Sequence, residues 1–235
     1  MHINNEIGNI LNLEVVSNLC DKYDALFHSD TVQSVGHYNL DLQKIKIDFL
    51  VASAHKFHGP KGIGFAYINK NNKIKPLIFG GSQEKGCRAG TESVHNIVGM
   101  AKSLEMSLNN LDFEMNKIKN LKKYFIDQLI KNIENIRFNG LSSDLDKSTY
   151  TLLNVLFPIS KDKSSLFLFE LDIKGVACSK GSACQSGSNL GSHVLNNILS
   201  NKDNSNVSLR FSFSIYNTFD EIDYVVKTLK NLIQK

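Results

Sequence analysis

The stretch from Ile45 to Ala54 constrains the fold more than any other part of the chain. It holds the apolar run Ile47, Phe49, Leu50, Val51 and Ala52, too short for a typical helix and too continuous for a strand with one face in water. The run predicts a strand buried on both faces. Such a strand needs cover on each side, and layers of helix over sheet supply it.

The surrounding pattern fits that requirement. Between Leu11 and Leu26, apolar residues at Leu13, Val16, Leu19, Cys20 and Tyr23 recur at the 3,4 spacing of an amphipathic helix, and Ala25 to Asp30 follows as a short strand. Gly62 to Ile68 reads as a further strand before a turn at residues 69–73. Helix and buried strand alternate, which predicts an α/β layered domain with functional residues where loops leave the strand ends.

After a glycine-rich segment, Gly80 to Gly90, two helical patterns run through Val94, Ile97, Val98, Ala101, Leu104 and Leu108, then through Phe113, Ile118, Leu121, Phe125, Leu129 and Ile133. The second reads as a helix bridging two domains. Strands are predicted at Ile136–Phe138, Leu152–Phe157, Val176–Cys178 and Val207–Phe213, with helices near Ser164–Leu171 and Ser192–Leu199. This order predicts a smaller α+β domain. The change of pattern puts the boundary near residue 112, giving a first domain over 1–112 and a second over 113–235. Thr218-x-x-Glu221 is a capping box that starts a last helix.

Composition excludes several classes. With 42% hydrophobic and 21% charged residues, the chain can bury a core and is neither collagen-like, disordered nor a coiled coil. The net charge of +4 accompanies no dense basic run, which argues against direct DNA binding. No apolar stretch reaches the roughly 20 residues of a membrane helix, and MHINNEIGNI lacks the basic and apolar regions of a signal peptide, so a cytoplasmic protein is expected. The cysteines at 20, 87, 178 and 184 form neither C-x2-C pairs nor a disulfide-dense framework. Cys20 and Cys178 fall in apolar runs and read as structural, whereas Cys87 lies in the glycine-rich segment. His58, His95 and His193 show no metal-ligand spacing, so no metal is expected.

Chemistry concentrates in Ser53-Ala-His-Lys56 followed by Phe-His-Gly-Pro-Lys-Gly-Ile-Gly64. A lysine directly after a buried-type strand reads either as a strand-end residue facing water or as a Schiff-base lysine, whose free amine is favoured by desolvation and neighbouring cations. Phe27-His-Ser-Asp30-Thr-Val-Gln33 ends another predicted strand. If the two strands are parallel neighbours, Asp30 and Lys56 lie close together. A carboxylate and a lysine so placed suit pyridoxal phosphate, which needs an acid at its ring nitrogen and an amine at its aldehyde. Cys184, in Gly181-Ser-Ala-Cys184-Gln-Ser-Gly, lies among small and polar residues that suit a loop.

Five segments, MHINNEIG, FHSDTVQS, SAHKFHGPKGIG, GGSQEKGCRAGTES and GSACQSGS, in this order and with these gaps, resemble the cysteine desulfurases, a class V branch of the fold-type I pyridoxal-phosphate enzymes. The resemblance runs from Met1 to the last helix. It implies part of a large cofactor-binding domain, built on a mixed, mostly parallel sheet with flanking helices, followed by the smaller domain that carries the cysteine loop. Carried over residue by residue, it makes Lys56 the Schiff-base lysine and Asp30 the partner of the pyridine nitrogen. Gln33 and Asn5 become donors near the ring hydroxyl, with Asn5 also beside the substrate, and Ser53 and His55 become phosphate ligands. Thr91 resembles the threonine that reaches the phosphate held by the other subunit, which implies a homodimer. Arg210 resembles the arginine that clamps the substrate carboxylate, a task suited to its two-pronged donor geometry. Cys184 becomes the thiol that takes sulfur from L-cysteine, leaving L-alanine, and passes it as a persulfide to an acceptor protein or scaffold for iron–sulfur cluster assembly or tRNA thiolation.

The resemblance also implies a departure. Members of the family carry a long N-terminal region, with the glycine and threonine loop that cradles the phosphate and a histidine that stacks on the ring, ahead of the position of Met1. The expectation is therefore an N-terminally truncated enzyme or half of a split one, prone to association through uncovered apolar surface and strand edges. Two other readings remain at this stage: a non-catalytic remnant or binding subunit, and a related class V lyase or aminotransferase.

Overall fold

Asn12 starts the first helix. Its side chain accepts a hydrogen bond from the Val15 amide at 3.1 Å, satisfying one of the donors a helix start leaves free. The helix, α1 (Leu13–Lys22), is shorter than the 11–26 periodicity suggests because Asp24 turns into the left-handed region, with φ 50°. The computed structural model describes residues 1–180 and 192–234. These form two units, one of Met1–His2 with Leu11–Leu111 and one of Ile3–Ile10 with Asp112–Lys235.

The first unit is built on a three-stranded sheet in the order β1 (His28–Asp30), β2 (Phe49–Ser53), β3 (Gly64–Ile68). β1 and β2 are parallel, with Asp30 opposite Val51, and β3 is antiparallel to β2. The sheet is thus mixed, with one parallel and one antiparallel pairing. Leu13, Phe27, Ile47 and Leu50 form one buried cluster, against which Cys20 packs, and Val35, Ala52, Ala54 and Phe57 form another. Alternate residues Leu50 and Ala52 are buried while Phe49, Val51 and Ser53 are half-buried, as the period of two requires. A 3-10 turn, Ala54–Phe57, follows β2 directly and packs against α2 (Val94–Asn109).

In the second unit, β4 (Arg137–Phe138), β5 (Leu152–Ser160) and β6 (Asn206–Ser212) form an antiparallel sheet in that order. β5 is its centre, and all six residues Leu152 to Phe157 are buried. Helices α3 (Leu111–Asn132), α4 (Ser164–Ile173), α5 (His193–Ile198), α6 (Asn201–Asn204) and α7 (Phe219–Ile233) complete the unit. Its core includes Leu121, Phe125 and Leu129 of α3, Phe157 of β5 and Leu229 of α7. Phe125 and Phe157 both meet Phe211 edge-on, the arrangement aromatic quadrupoles favour. The capping box forms as the sequence requires, with Thr218 Oγ1 accepting from Glu221 N at 3.2 Å and Glu221 Oε2 accepting from Thr218 N at 3.0 Å.

Two expectations are corrected here. Val176–Cys178 is not a strand: Gly175 takes a left-handed turn at φ 74°, and the Val176 amide bonds back to Leu171 O at 2.9 Å. That amide therefore closes the end of α4 instead of joining a ladder, and pairing begins only at Ser179, as a single bridge to Arg210. The segment Ile3–Ile10, assigned by sequence with residues 1–112, packs in the second unit. There the Thr149 amide donates to Gly8 O at 2.8 Å, and the Ile10 amide to Lys147 O at 3.0 Å.

Candidate active site

The parallel pairing of β1 with β2 puts their C-terminal ends side by side. Asp30 closes β1, and Ser53 closes β2 ahead of the 3-10 turn that carries His55 and Lys56. The pairing continues past the strand end through Thr31, whose amide and Oγ1 both donate to Val51 O, at 3.1 and 2.7 Å. Thr31 is fully buried, so this anchor is shielded from competing water. Asp30 Oδ1 accepts from Val32 N at 2.9 Å, bending the chain into the turn that holds Gln33. Asp30 and Gln33 are half-buried, as is Ser53, while His55 and Lys56 are exposed.

This turn lies flush on the lysine turn. Gly36 has φ +81°, and a Cβ built on it would sit 2.5 Å from Phe57 Cβ. Phe57 is fully buried, so it has no room to retreat. Next along, the His37 Nε2–H donates to the carbonyl of Lys56 at 2.8 Å. Burial pushes the His37 imidazole below its ordinary range, against the opposing effect of that hydrogen bond. Gly36→Ala is expected to destabilise the first unit by roughly 2–4 kcal/mol, from left-handed strain plus the forced shift of Phe57, measured as a fall in the urea midpoint.

On the N-terminal side, the His2 amide donates to Asp30 O at 2.8 Å. The His2 ring is buried and sits edge-on to Tyr38. Burial, with the nearby N-terminal amine, pushes its pKa down to about 4, so it is neutral around pH 7. Its Nδ1 is a buried polar atom with no hydrogen-bond partner among the described residues.

Thr91 is exposed at the end of the glycine-rich loop. Arg88 clamps that loop, donating to Gly90 O at 2.8 Å, Glu84 Oε1 at 3.1 Å and Glu92 Oε2 at 2.9 Å. Cys87 in the same loop is exposed.

Asn5 and Arg210 come together in the second unit. Arg210 Nη1 donates to the Asn5 carbonyl at 2.6 Å, and the Arg210 backbone exchanges two hydrogen bonds with Ser179, at 3.0 and 2.8 Å. Arg210 is therefore fixed beside Ser179, five residues before Cys184 in the chain. Cys184 itself lies outside the described residues. Burial, with Asp172 adding to it, pushes the Cys178 thiol up to about 11, so it stays protonated and a poor nucleophile at neutral pH.

Sequence reasoning missed Thr31, His37 and Glu6. The first two bond to backbone carbonyls of a neighbouring strand or turn, a role no residue type announces, and Glu6 is buried with its partner far along the chain.

The donor set suits pyridoxal phosphate: a carboxylate, an amine, a hydroxyl and an imidazole gathered at two adjacent strand ends. Among the described residues, no group of three His, Cys, Asp or Glu side chains could hold a metal ion, and no helix is long and apolar enough to cross a membrane.

Known proteins resemble this chain along its length. Cysteine desulfurase IscS of Dictyoglomus turgidum is 40% identical over 235 residues, covering all of this chain and 58% of the relative. The Clostridium botulinum protein of the same name is 39% identical, again over 58% of its length. The chain thus spans under two thirds of the length of the curated relatives it matches. A NifS-like protein of known structure superposes on the whole chain with TM-score 0.86 at 32% identity, over 60% of its own length. The NifS-like protein from Rickettsia africae does so with TM-score 0.87 at 27% identity. The aminotransferase class-V family model matches residues 1–225. With that match spanning nearly the whole chain, and with carboxylate and lysine at adjacent parallel strand ends, the chain belongs to the aminotransferase class-V family.

Proposed function

We propose that this chain carries the lysine, carboxylate and thiol of a cysteine desulfurase that converts L-cysteine to L-alanine and leaves a persulfide on Cys184. The observation that carries the reading is the parallel register of β1 and β2, which sets Asp30 beside the turn bearing Lys56. Pyridoxal phosphate, when bound, supplies an aldehyde for amine capture and a ring that takes up the electron pair released at the substrate α-carbon.

The protein's residues do the rest. Asp30 keeps a proton on the ring nitrogen. Lys56 would hold the cofactor through its amine and, when that amine is free, would move the substrate α-proton. Ser53 and His55 donate to the phosphate, Gln33 and Asn5 to the ring hydroxyl, and Thr91 to the phosphate held by the other copy of a homodimer. Arg210 receives the substrate carboxylate on its planar fork. The Cys184 thiolate attacks the substrate sulfur, so the carbon–sulfur bond breaks as the sulfur–sulfur bond forms, and the carbon left behind is protonated to give alanine. The persulfide then passes to an acceptor protein for iron–sulfur assembly or tRNA thiolation.

The test is incubation with pyridoxal phosphate and L-cysteine, followed by mass spectrometry and alanine assay. One added sulfur on Cys184, abolished in Cys184→Ala, is expected. Borohydride should fix the cofactor to Lys56 and to no other lysine. A label elsewhere, or alanine formation undiminished in Cys184→Ala, overturns the reading in favour of another class V reaction.

A further inference from the structure

The carbonyl of Lys56 is held by a side chain from another part of the first unit. The 3-10 turn Ala54–Phe57 ends at His58, which takes the left-handed region at φ 64°. The amides after the turn bypass Lys56: those of His58 and Gly59 both donate to Ala54 O, the latter at 2.8 Å. The last carbonyls of a helical turn need partners from outside it, and for Lys56 that partner is the imidazole of His37, at 2.8 Å. A carbonyl oxygen only accepts, so Nε2 carries the proton.

His37 sits at the far end of the turn that begins at Asp30, and that turn is bonded closely along its length. Thr31 is tied to Val51 O of β2. The Ser34 and Val35 amides donate to Thr31 O at 2.9 and 3.0 Å, and Ser34 Oγ does so at 3.1 Å. The His37 amide donates in its turn to Ser34 O at 3.0 Å. Thr31 and Ser34 are fully buried, so water does not compete for these bonds. Residues 31–37 are therefore a strut with Asp30 at one end and the lysine carbonyl at the other. Gly36 lets the strut lie against Phe57, but an apolar contact has no preferred direction, whereas the His37 hydrogen bond fixes one atom. Packing alone would be served by an apolar side chain at 37, without the desolvation that an imidazole costs.

We propose that His37 is a positioning residue for Lys56: capping the lysine turn from the end of this strut, it sets where the lysine backbone stands relative to Asp30. The inference deepens the desulfurase reading and rests on it for what Lys56 captures. The hold on the turn is measured without cofactor or substrate.

The experiment compares the full chain with His37→Leu, His37→Asn and His37→Gln. Glutamine carries its amide nitrogen the same number of bonds from Cβ as the histidine Nε2 and still reaches the carbonyl, whereas asparagine falls one bond short. Hydrogen exchange of the His58 and Gly59 amides, resolved by NMR, should quicken about threefold to tenfold in His37→Leu and His37→Asn, the change in open population that one typical hydrogen bond controls. The β3 amides should keep their rates, and His37→Gln should stay near the parent. With pyridoxal phosphate added, borohydride-fixed cofactor should accumulate on Lys56 at least about threefold more slowly in His37→Leu and His37→Asn, because a displaced amine meets the aldehyde less often in a reactive geometry. His37→Gln should fix it at the parent rate, and fixation on the exposed Lys61 should not change.

Unaltered exchange at His58 and Gly59, or His37→Gln behaving as His37→Leu, would overturn the proposal. Equal quickening in β3 would assign the effect to overall stability and overturn it as well. So would faster exchange with undiminished fixation on Lys56, which would make His37 a structural cap alone. If His37→Leu fails to fold, His37→Asn against His37→Gln decides the matter. A parent protein that fixes no cofactor on Lys56 overturns the desulfurase reading instead, and the exchange rates then decide whether His37 holds the turn.

Discussion

Raising the pH from 7 to 9 is expected to stabilise the second unit against urea by on the order of 2–3 kcal/mol, and Lys122→Met should abolish most of that gain. Lys122 is fully buried on α3, donating to Ser148 Oγ at 2.8 Å and Thr149 O at 2.7 Å. Burial pushes its pKa down to about 7; Asp144 opposes the shift and Lys119 adds to it. The folded state therefore releases this proton near neutrality, whereas the unfolded chain keeps it to about 10.5. Between those values the unfolded state binds more protons, so stability rises with pH, and below about 7 the burial penalty is present in full. Cys178 works the other way: its folded pKa of about 11 lies above its ordinary 9.0, so stability declines as pH rises beyond about 9. The useful window thus ends at pH 9. Urea titrations at pH 7, 8 and 9, followed by circular dichroism, give the slope. An equal slope in Lys122→Met would assign it to other groups.

Asn154→Leu should cost the second unit roughly 2–5 kcal/mol, because it removes two buried hydrogen bonds at once and leaves the Glu6 carbonyl without its side-chain donor. Asn154 is fully buried in β5. Its Nδ2 donates to Glu6 O at 2.9 Å, and its Oδ1 accepts from Asn139 Nδ2 at 2.8 Å. Leucine has the same branching and number of heavy atoms, so the loss reports mainly on hydrogen bonding, with a smaller part from its bulkier methyl groups. The Asn139 nitrogen retains Ser208 Oγ at 2.9 Å, but the Glu6 carbonyl loses its side-chain donor. A fall in stability below about 1 kcal/mol would mean that water enters and replaces the amide.

Features governed by local chemistry were legible in the sequence. Thr218 and Glu221 are three residues apart and meet through the helix they start. The run around Leu50 declared a buried strand, and the motifs at the ends of two such strands named Asp30 and Lys56, whose nearness depended on the parallel pairing that the structure shows. Features settled by distant partners were not legible. Ser192, whose hydroxyl donates to Glu6 Oε2, is separated from it by nearly the whole chain. Lys122 lies three and four residues from Phe125 and Ile118, on the buried face of α3, yet its charge places it with the polar residues in any reading by periodicity. Phe113 shows the converse: it fits the apolar period but is 68% exposed. Val176–Cys178 has the composition of a strand, and only the left-handed turn at Gly175 diverts its first amide.

The assignment of Ile3–Ile10 to the second unit means that the two units are interleaved along the chain and cannot be separated by one cut. A piece starting at residue 112 would lack the acceptor for Arg210 and the carbonyl that Asn154 binds. A protease nick after Leu111 would leave the amino-terminal fragment still threaded through the other by eight residues, and the two halves should migrate together until denaturant parts them. Recombination at this boundary would take the Asn5 carbonyl from Arg210 in one descendant and leave a turn without its strand in the other.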